Sequence, residues 1–136
     1  MLNCDSEELF DKKKRSGPLG FVSSGRDARA KKLTTLAQIE HDPALYNLVI
    51  LGTPIWGGTL SSAMRTYITS NKAKFAHVAF FCTQGGTTNK PMFDEMEALC
   101  EQHPLNILAL RQNEVKAGAY QDKIRQFVER LLSLQI

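Results

Sequence analysis

Three short, uninterrupted apolar runs constrain the fold of this chain more than any other feature. They lie in predicted strands over residues 46–52, 76–82 and 105–110, and each is followed by the pattern of an amphipathic helix. Strands that are apolar at every position are typical of a parallel sheet whose two faces are both covered by helices. The sequence therefore predicts an α/β fold, with an open parallel sheet and helices on both faces.

The three helices are predicted over residues 59–72, 90–102 and 119–135. In each of them apolar residues recur at the i, i+3, i+4, i+7 spacing of a helix that buries one side. We interpret the three apolar stripes as core rather than as ligand sites. They comprise Leu60, Ala63, Met64, Tyr67 and Ile68; Met92, Phe93, Met96, Leu99 and Cys100; and Tyr120, Ile124, Phe127, Val128, Leu131 and Leu134.

The chain length predicts a single domain over residues 1–136, because a chain of this size can bury a substantial core. The strand and helix units occupy residues 46–136, and Leu2 to Phe10 has room for one further short strand. Residues 11–45 are predicted to be a basic, loop-rich segment, in which Asp11 to Lys32 holds eight Lys and Arg against two Asp. We expect a solvated loop there. Anion or nucleic-acid binding is the alternative, but nucleic acid is not an expected partner because interleaved aromatic residues are missing.

The cysteines and histidines do not predict a metal site. Cys4, Cys82 and Cys100 are widely spaced and form no CxxC pair, so neither a disulfide framework nor a zinc site is indicated. Cys82 and Cys100 fall within apolar patterns and are predicted to be small buried residues. We also find no convincing nucleophile or catalytic triad, so no catalytic residue is assigned.

A cytoplasmic location is expected from the sequence. No apolar run approaches the roughly 20 residues that a membrane-spanning helix needs, so no membrane association is expected. The N-terminus carries Asp5, Glu7 and Glu8 where a signal peptide would have a basic segment followed by an apolar one.

Two loops that follow predicted strands carry the residue types expected of a ligand site. The first combines a rigid proline turn, one large aromatic residue and two glycines, so that the backbone can approach a flat ligand while an indole covers its face. The second offers backbone N–H groups for the polar edge of a ring, and its glycines can adopt positive φ. Because ligands of open α/β sheets bind beyond the carboxyl ends of the strands, both loops are predicted to line one pocket. The candidate binding residues are Thr53, Pro54, Ile55, Trp56, Gly57 and Gly58 in the first loop, and Thr83, Gln84, Gly85 and Gly86 in the second.

A planar heteroaromatic ring fits this combination of residues. Trp56 is the only tryptophan of the chain, and the alternative is that it caps the hydrophobic core beneath a loop. The residues alone leave both interpretations open.

The sequence resembles the flavodoxin family. The resemblance rests on YNLVILGTPIWGG (46–58), on TLSSAMRTYI (59–68) and on HVAFFCTQGG (77–86) followed by MFDEME (92–97), and it extends from about residue 5 to the C-terminus. It implies a flavodoxin-like fold and FMN as the cofactor, with Trp56 on the isoalloxazine ring and Thr83–Gly86 along the other edge of the ring. It further implies an electron-transfer or oxidoreductase function, exercised with a redox protein partner that the sequence does not identify. If the chain is an enzyme, it is a redox flavoprotein.

The chain departs from the family pattern at its N-terminus, where the first strand, the first helix and the Ser/Thr-Gly-rich phosphate loop are missing. Thr83–Thr88 resembles such a loop superficially, but only about 50 residues follow it. Lys12–Arg15, or Arg26 and Arg29, are candidates for a substitute anion site. Since each lost contact to the phosphate is worth roughly 0.5–3 kcal/mol, FMN affinity is expected to be weak or lost.

The missing strand is central in the 2-1-3-4-5 order of the family. Its absence leaves a gap of ~10 Å, or two strand spacings, and an uncovered apolar edge at residues 47–51. We expect this edge to be covered by self-association, with a homodimer favoured, or by the N-terminal strand. The alternative function, from another class, is a flavin-free protein-interaction module built on a truncated flavodoxin-like domain.

Overall fold

A four-stranded sheet with helices on both faces organises the molecule. The computed structural model describes residues 3–12, 17–86 and 88–136. The helices and strands of these residues are, in chain order, α1 (Gly17–Arg29), β1 (Val49–Trp56), β2 (Thr59–Leu60), α2 (Ser62–Asn71), β3 (Val78–Gln84), α3 (Lys90–Cys100), β4 (Ile107–Arg111), α4 (Gln112–Lys116) and α5 (Gln121–Ser133). Single 3-10 turns lie at Pro43–Leu45 and Lys72–Lys74.

The strand order is β2-β1-β3-β4. β1 pairs with β3 in parallel, from Val49 opposite Val78 to Pro54 opposite Thr83, and β3 pairs with β4 in parallel. The short β2 pairs antiparallel with the last two residues of β1. The predicted α/β class, an open and mostly parallel sheet covered by helices, is confirmed.

Each face of the sheet has its own hydrophobic cluster. Leu51 and Phe80 belong to the larger cluster, together with apolar residues of α2 and α3. On the opposite face Ala79 packs with Phe127 and Leu131 of α5. Successive residues of a strand point to opposite faces, so an uninterrupted apolar strand supplies both clusters.

The first strand and the first helix differ from their predicted bounds because of a hairpin. Gly57 and Gly58 have φ of 56° and 83°, the combination that a two-residue hairpin turn needs. β1 therefore continues to Trp56 instead of ending at residue 52, and Thr59 and Leu60 form β2 instead of the start of a helix. α2 begins only after Ser61, whose Oγ accepts a hydrogen bond from the amide of Met64 at 3.2 Å and caps the helix.

The helix predicted over residues 119–135 is also divided differently. α4 forms first, directly after β4, and the chain then turns at Gly118, which has φ of 72°. α5 begins at Gln121, so Tyr120 precedes the helix, and Ile124 of the expected stripe is 38% exposed. Phe127 and Leu131 are buried, as the stripe predicts.

The basic segment contains a helix where a solvated loop was expected. α1 contacts β1, β2 and α2, and its Ala28 and Asp27 are buried. Tertiary packing of this kind stabilises a helix whose glycine-rich and serine-rich sequence has low intrinsic propensity. Lys13–Ser16, which include three of the expected substitute anion ligands, lie outside the described residues.

The described part of the predicted N-terminal strand, residues 3–10, forms no ladder with β1. A single antiparallel bridge joins Asp11 to Leu36 instead. Glu7 accepts hydrogen bonds from the backbone amides of Glu40 and His41, at 2.7 and 3.2 Å. These contacts hold the N-terminal segment against residues 35–41, so the expected pairing of this segment with residues 46–52 does not occur.

None of the helices in the described part of the chain has the length and apolar character needed to cross a lipid bilayer.

A candidate ligand site at the carboxyl ends of the strands

A cleft of about 1010 Å³ runs along the outer edge of β1. It extends from Asn47, before the strand, to Trp56 at its carboxyl end. The described residues that line it come from the N-terminal segment, the residues before β1, the strands β1 and β3, α2 with its N-cap, and the end of α5 with the residues after it. They include Asn3–Leu9, Leu48–Gly52, Pro54, Trp56, Ala63, Met64, Tyr67, Phe81, Leu131, Leu132 and Ile136.

Trp56 is half-buried and lines this cleft together with Pro54. The alternation of β1 explains its position, because Leu51 and Ile55 join the cluster beneath α2 and α3, while Ile50 packs against α5 on the other face. Trp56 is a member of neither described cluster. The indole therefore lies on the cleft.

The other four residues of the first predicted loop pack in the core or form the hairpin turn and do not line the cleft. Thr53 is buried, and its Oγ1 accepts a hydrogen bond from the amide of Ser61 at 3.1 Å. Ile55 packs against the larger cluster, and Gly57 and Gly58 are exposed in the hairpin turn. Of the six loop residues, Pro54 and Trp56 are the two that line the cleft.

The second predicted loop lies beside the first but lines a different cavity. Thr83 is paired with Pro54, so the two loops leave adjacent strands. Gly85 and Gly86 line a separate cavity of about 330 Å³, and neither has positive φ, in contrast to the sequence-based expectation. Gln84 is buried, and its side-chain oxygen has no hydrogen-bond partner within residues 3–12, 17–86 and 88–136. The structure thus brings the two loops together at one edge of the sheet without joining them in one pocket.

Sequence reasoning missed the cations of the second cavity. Arg111 and Lys116 line it together with Gln112 and Asn113. Arg111 is the last residue of β4, so its place at the carboxyl end of a strand was the available signal.

Sequence reasoning also missed Phe81, whose ring covers Gly52 on the cleft side. A Cβ at Gly52 would lie 2.1 Å from Cζ of Phe81. A glycine inside an apolar strand is a recognised sign of such close approach, and this was the signal in the sequence.

A buried ionic network fixes the hairpin that carries Trp56. Nη1 of Arg65 lies 2.7 Å from Oε1 of Glu95, and Thr59 in β2 donates a short hydrogen bond to the same carboxylate. Lys31, just after α1, approaches Glu95 at 3.2 Å. Burial opposes ionisation of Glu95, but the hydrogen bonds from Arg65 and Thr59 outweigh it and lower the pKa of this carboxyl. The network therefore ties β2 to α2 and α3.

The charges of the cleft decide which part of a flavin its residues fit. Asp5, Glu7, Glu8 and Asp11 line the cleft, and none of its described lining residues is Lys or Arg. The α1 cations that were expected to bind an anion do not line it. The residues therefore fit a flat, uncharged ring against Trp56 better than they fit a dianionic phosphate, which the four carboxylates repel.

Comparison with known proteins adds one distant structural neighbour. No protein-family model matches the sequence, and no curated protein matches it. Among solved structures, the chain is similar to a flavoprotein in complex with FMN from Lactobacillus acidophilus NCFM, at 24% sequence identity and a TM-score of 0.48. The match covers 62% of this chain and 55% of that chain, so this chain spans about half the length of that protein.

Proposed function

We propose that this chain is a flavodoxin-like redox protein that binds the isoalloxazine ring of a flavin against Trp56. One observation carries the proposal: the only tryptophan of the chain lies outside both core clusters and lines a large cleft at the carboxyl end of β1. We choose flavin among the possible flat ligands because residues 46–58 and 77–86 resemble those of flavodoxins. FMN is the flavin which that resemblance implies.

The chemistry of the indole suits this role. An aromatic side chain stacked on a ring contributes about 0.5–1.5 kcal/mol beyond the burial of apolar area. By excluding water from one face, Trp56 disfavours the negative charge of an anionic reduced flavin and so tunes its potential. A bound flavin supplies the electron chemistry itself, so no side chain of this protein needs to act as acid, base or nucleophile.

Ring recognition without a phosphate site has a distinctive consequence. Because the cleft carries four carboxylates and its described lining has no Lys or Arg, the phosphate of FMN is repelled there. Riboflavin should therefore bind at least as tightly as FMN. A protein with a dedicated phosphate site would instead prefer FMN by a large factor.

Titration of the protein with riboflavin and with FMN tests the proposal, because Trp56 is the only indole whose fluorescence responds. We expect saturable quenching by both ligands. The Trp56→Ala variant, followed by flavin absorbance, should lose about tenfold or more in affinity, equivalent to ~1.4 kcal/mol. Phe10→Ala removes an aromatic residue that is 61% exposed and does not line the cleft, and it should have no effect.

The proposal fails if neither flavin quenches Trp56 at about millimolar concentration, where binding is worth only ~4 kcal/mol. It also fails if Trp56→Ala binds riboflavin as tightly as the unchanged protein does.

A flavin-free interaction module is the second candidate function. The specific observation that favours it is the outer edge of β1, which has no backbone partner along most of its length in the described residues.

A further inference from the structure

Among the residues that the structure describes, none pairs with the outer edge of β1 from Val49 to Pro54. β3 occupies the other edge of the strand, and β2 covers only Ile55 and Trp56 on the outer side. No backbone hydrogen bond joins the N-terminal segment, residues 3–12, to this edge. The open edge is six residues long, or roughly 20 Å at ~3.3 Å per residue.

The direction of the backbone groups on β1 shows which amides are unpaired. The amide of Val49 donates to the carbonyl of His77 on the β3 side at 2.9 Å. Because direction alternates along a strand, the amides of Ile50 and Gly52 point to the open edge. Pro54 is the third outward position, and proline there costs no hydrogen bond with β3.

The cleft lies along the open stretch of β1 and is lined both by this strand and by the segment Asn3–Leu9. Met64 and Tyr67 of α2 line it from one helical layer, and Leu131 of α5 lines it from the other. A strand placed there would lie in the plane of the sheet, with helices over both of its faces.

The N-terminal segment is held by contacts to residues that precede β1. Glu7 accepts hydrogen bonds from the backbone amides of Glu40 and His41, and the hydroxyl of Tyr46 donates to Asp5 at 2.7 Å. The segment therefore lines the cleft without pairing with β1.

The lining specifies the chemistry of an occupant. Apolar side chains from both helical layers require apolar residues on both faces of an added strand. The carboxylates of Asp5, Glu7, Glu8 and Asp11, with no Lys or Arg among the described lining residues, favour cations beside that apolar run and disfavour anions.

A second copy of this chain does not meet these requirements with its N-terminal segment. Residues 3–10 carry Asp5, Glu7 and Glu8, and insertion would bring these carboxylates among the acidic and apolar residues of the cleft. Two β1 strands that paired edge to edge would have to share the cleft with the segment Asn3–Leu9, which also lines it.

We infer that the cleft is a docking slot for one extended strand of a separate polypeptide, an apolar segment of about six residues flanked by Lys or Arg, which adds to the outer edge of β1. Strand addition of this kind obtains affinity from main-chain hydrogen bonds and specificity from the side chains on either side. The inference does not depend on flavin binding, and its test is made without flavin.

The probe is a synthetic eight-residue peptide with alternating Val and Ile, a Lys at each end and a fluorescein label, and the readout is fluorescence anisotropy. We expect saturable binding. A peptide with Pro at two central positions cannot complete the ladder, and a peptide with Glu at both ends meets the acidic wall, so each should bind about tenfold or more weakly.

A matched pair of protein variants locates the binding site. Leu132→Lys places a cation on the cleft at a residue that is already 49% exposed, and Leu45→Lys makes the same change at an 81% exposed residue that does not line the cleft. We expect about tenfold weaker binding for the first variant and unchanged binding for the second. Circular dichroism of both variants verifies that they are folded.

Amide hydrogen exchange tests the geometry of the complex. The amides of Ile50 and Gly52 should exchange quickly in the free protein and become protected by the Lys-flanked peptide, whereas that of Val49 should be protected in both states. The inference is overturned if the peptide does not bind at about millimolar concentration. Equal binding of the Pro peptide, or protection that leaves Ile50 and Gly52 unchanged, also overturns it.

The oligomeric state distinguishes a second copy from a separate polypeptide. Light scattering at micromolar concentration tests for a dimer formed through the cleft, which Leu132→Lys would dissociate and Leu45→Lys would leave intact. We expect no such dimer. If such a dimer is found, a second copy fills the cleft and the inference of a separate partner is wrong.

Discussion

At the scale of single residues, Gly52 and Phe81 shape the cleft wall. The phenyl ring lies where a side chain at residue 52 would stand, with Cζ 2.1 Å from the position of a Cβ. Phe81 is only partly buried and lines the cleft, so a displaced ring has space to move into. The absence of a side chain at Gly52 therefore keeps the ring flat against the sheet and the cleft open.

We expect Gly52→Ala to destabilise the fold by about 1–3 kcal/mol, because the ring must leave its position or the strands must shift. Urea unfolding measures this change. Gly86→Ala is the control, since a Cβ there meets nothing within 4 Å and the residue does not have positive φ. Adding Phe81→Ala to Gly52→Ala should remove most of the clash, and purely additive destabilisation of the double variant would contradict this explanation.

Cys82 and Cys100 are weaker acids than an ordinary thiol because both are buried. Burial raises the pKa of the Cys82 thiol from 9.0 to about 11 and that of Cys100 from 9.0 to about 12, with Lys72 opposing the shift at Cys100. Cys4 is exposed. The thiolate is the reactive form, so Cys82 and Cys100 should be inert in the folded protein.

At pH 8 we expect a thiol reagent such as Ellman's reagent to label Cys4 rapidly and to label Cys82 and Cys100 only after unfolding in urea. Cys4→Ser should abolish the rapid phase. The raised pKa of Cys82 also makes the free energy of unfolding depend on pH. Its contribution is constant below pH 9.0, the ordinary thiol pKa, and it declines as the pH rises toward 11, because the thiol loses its proton in the unfolded chain before it does so in the folded protein. Rapid labelling of any thiol in the folded Cys4→Ser variant would contradict this prediction, because it would show that Cys82 or Cys100 is accessible.

At the scale of elements, the Arg65–Glu95 pair joins α2 to α3 and positions β2 through Thr59. Arg65 is 4% exposed, so removal of its partner leaves a buried guanidinium without its counter-charge. This is the costly way to break an ion pair, since the desolvation of the remaining charge is no longer compensated.

Glu95→Ala should destabilise the protein by about 3 kcal/mol in chemical unfolding. Glu101→Ala breaks an exposed pair with Lys72 and should cost less than about 1 kcal/mol. Because the pKa of Glu95 is lowered below 4.5, its contribution is present above pH 4.5 and is lost as the pH falls through the lowered value. Equal stability of the two variants at pH 7 would mean that the network does not hold the hairpin.

The same scale shows what the sequence could and could not predict about the fold. β1, β3 and β4 were predicted to within a few residues because Val78–Cys82 and similar runs are apolar on both faces. The hairpin was missed because Gly57 and Gly58 were interpreted as part of a ligand loop, although two consecutive glycines also satisfy a tight turn. α1 was missed because it is stabilised by packing against β1, β2 and α2, which local composition does not encode.

At the scale of the whole molecule, charge is divided between two cavities. The large cleft is lined by carboxylates, and the smaller cavity beside Gly85 and Gly86 is lined by Arg111 and Lys116. The sequence left open whether Trp56 lies on a ligand cleft or caps the core, and in the structure it lines the large cleft. That the two loops line separate cavities depends on tertiary packing, which the local sequence does not encode.

This division predicts how salt affects flavin binding. The carboxylates of the large cleft repel the FMN phosphate, and salt screens that repulsion. Raising the ionic strength from about 0.01 M to about 0.15 M shortens the Debye length from ~30 to ~8 Å and should strengthen FMN binding while leaving riboflavin, the uncharged control, unaffected. If FMN instead binds more tightly than riboflavin and weakens with salt, cations such as Arg111 and Lys116 hold its phosphate.

The hairpin at Gly57–Gly58 also limits the length of any ladder that forms on β1. Because Thr59 and Leu60 already occupy the outer side of Trp56 and Ile55, hydrogen bonding to a newcomer must stop at Pro54. An added strand that is longer than this must leave the plane of the sheet at Pro54, and its next residue then lies beside the indole of Trp56. The hairpin therefore limits the added strand to the positions opposite Val49–Pro54 and directs any further residues toward Trp56.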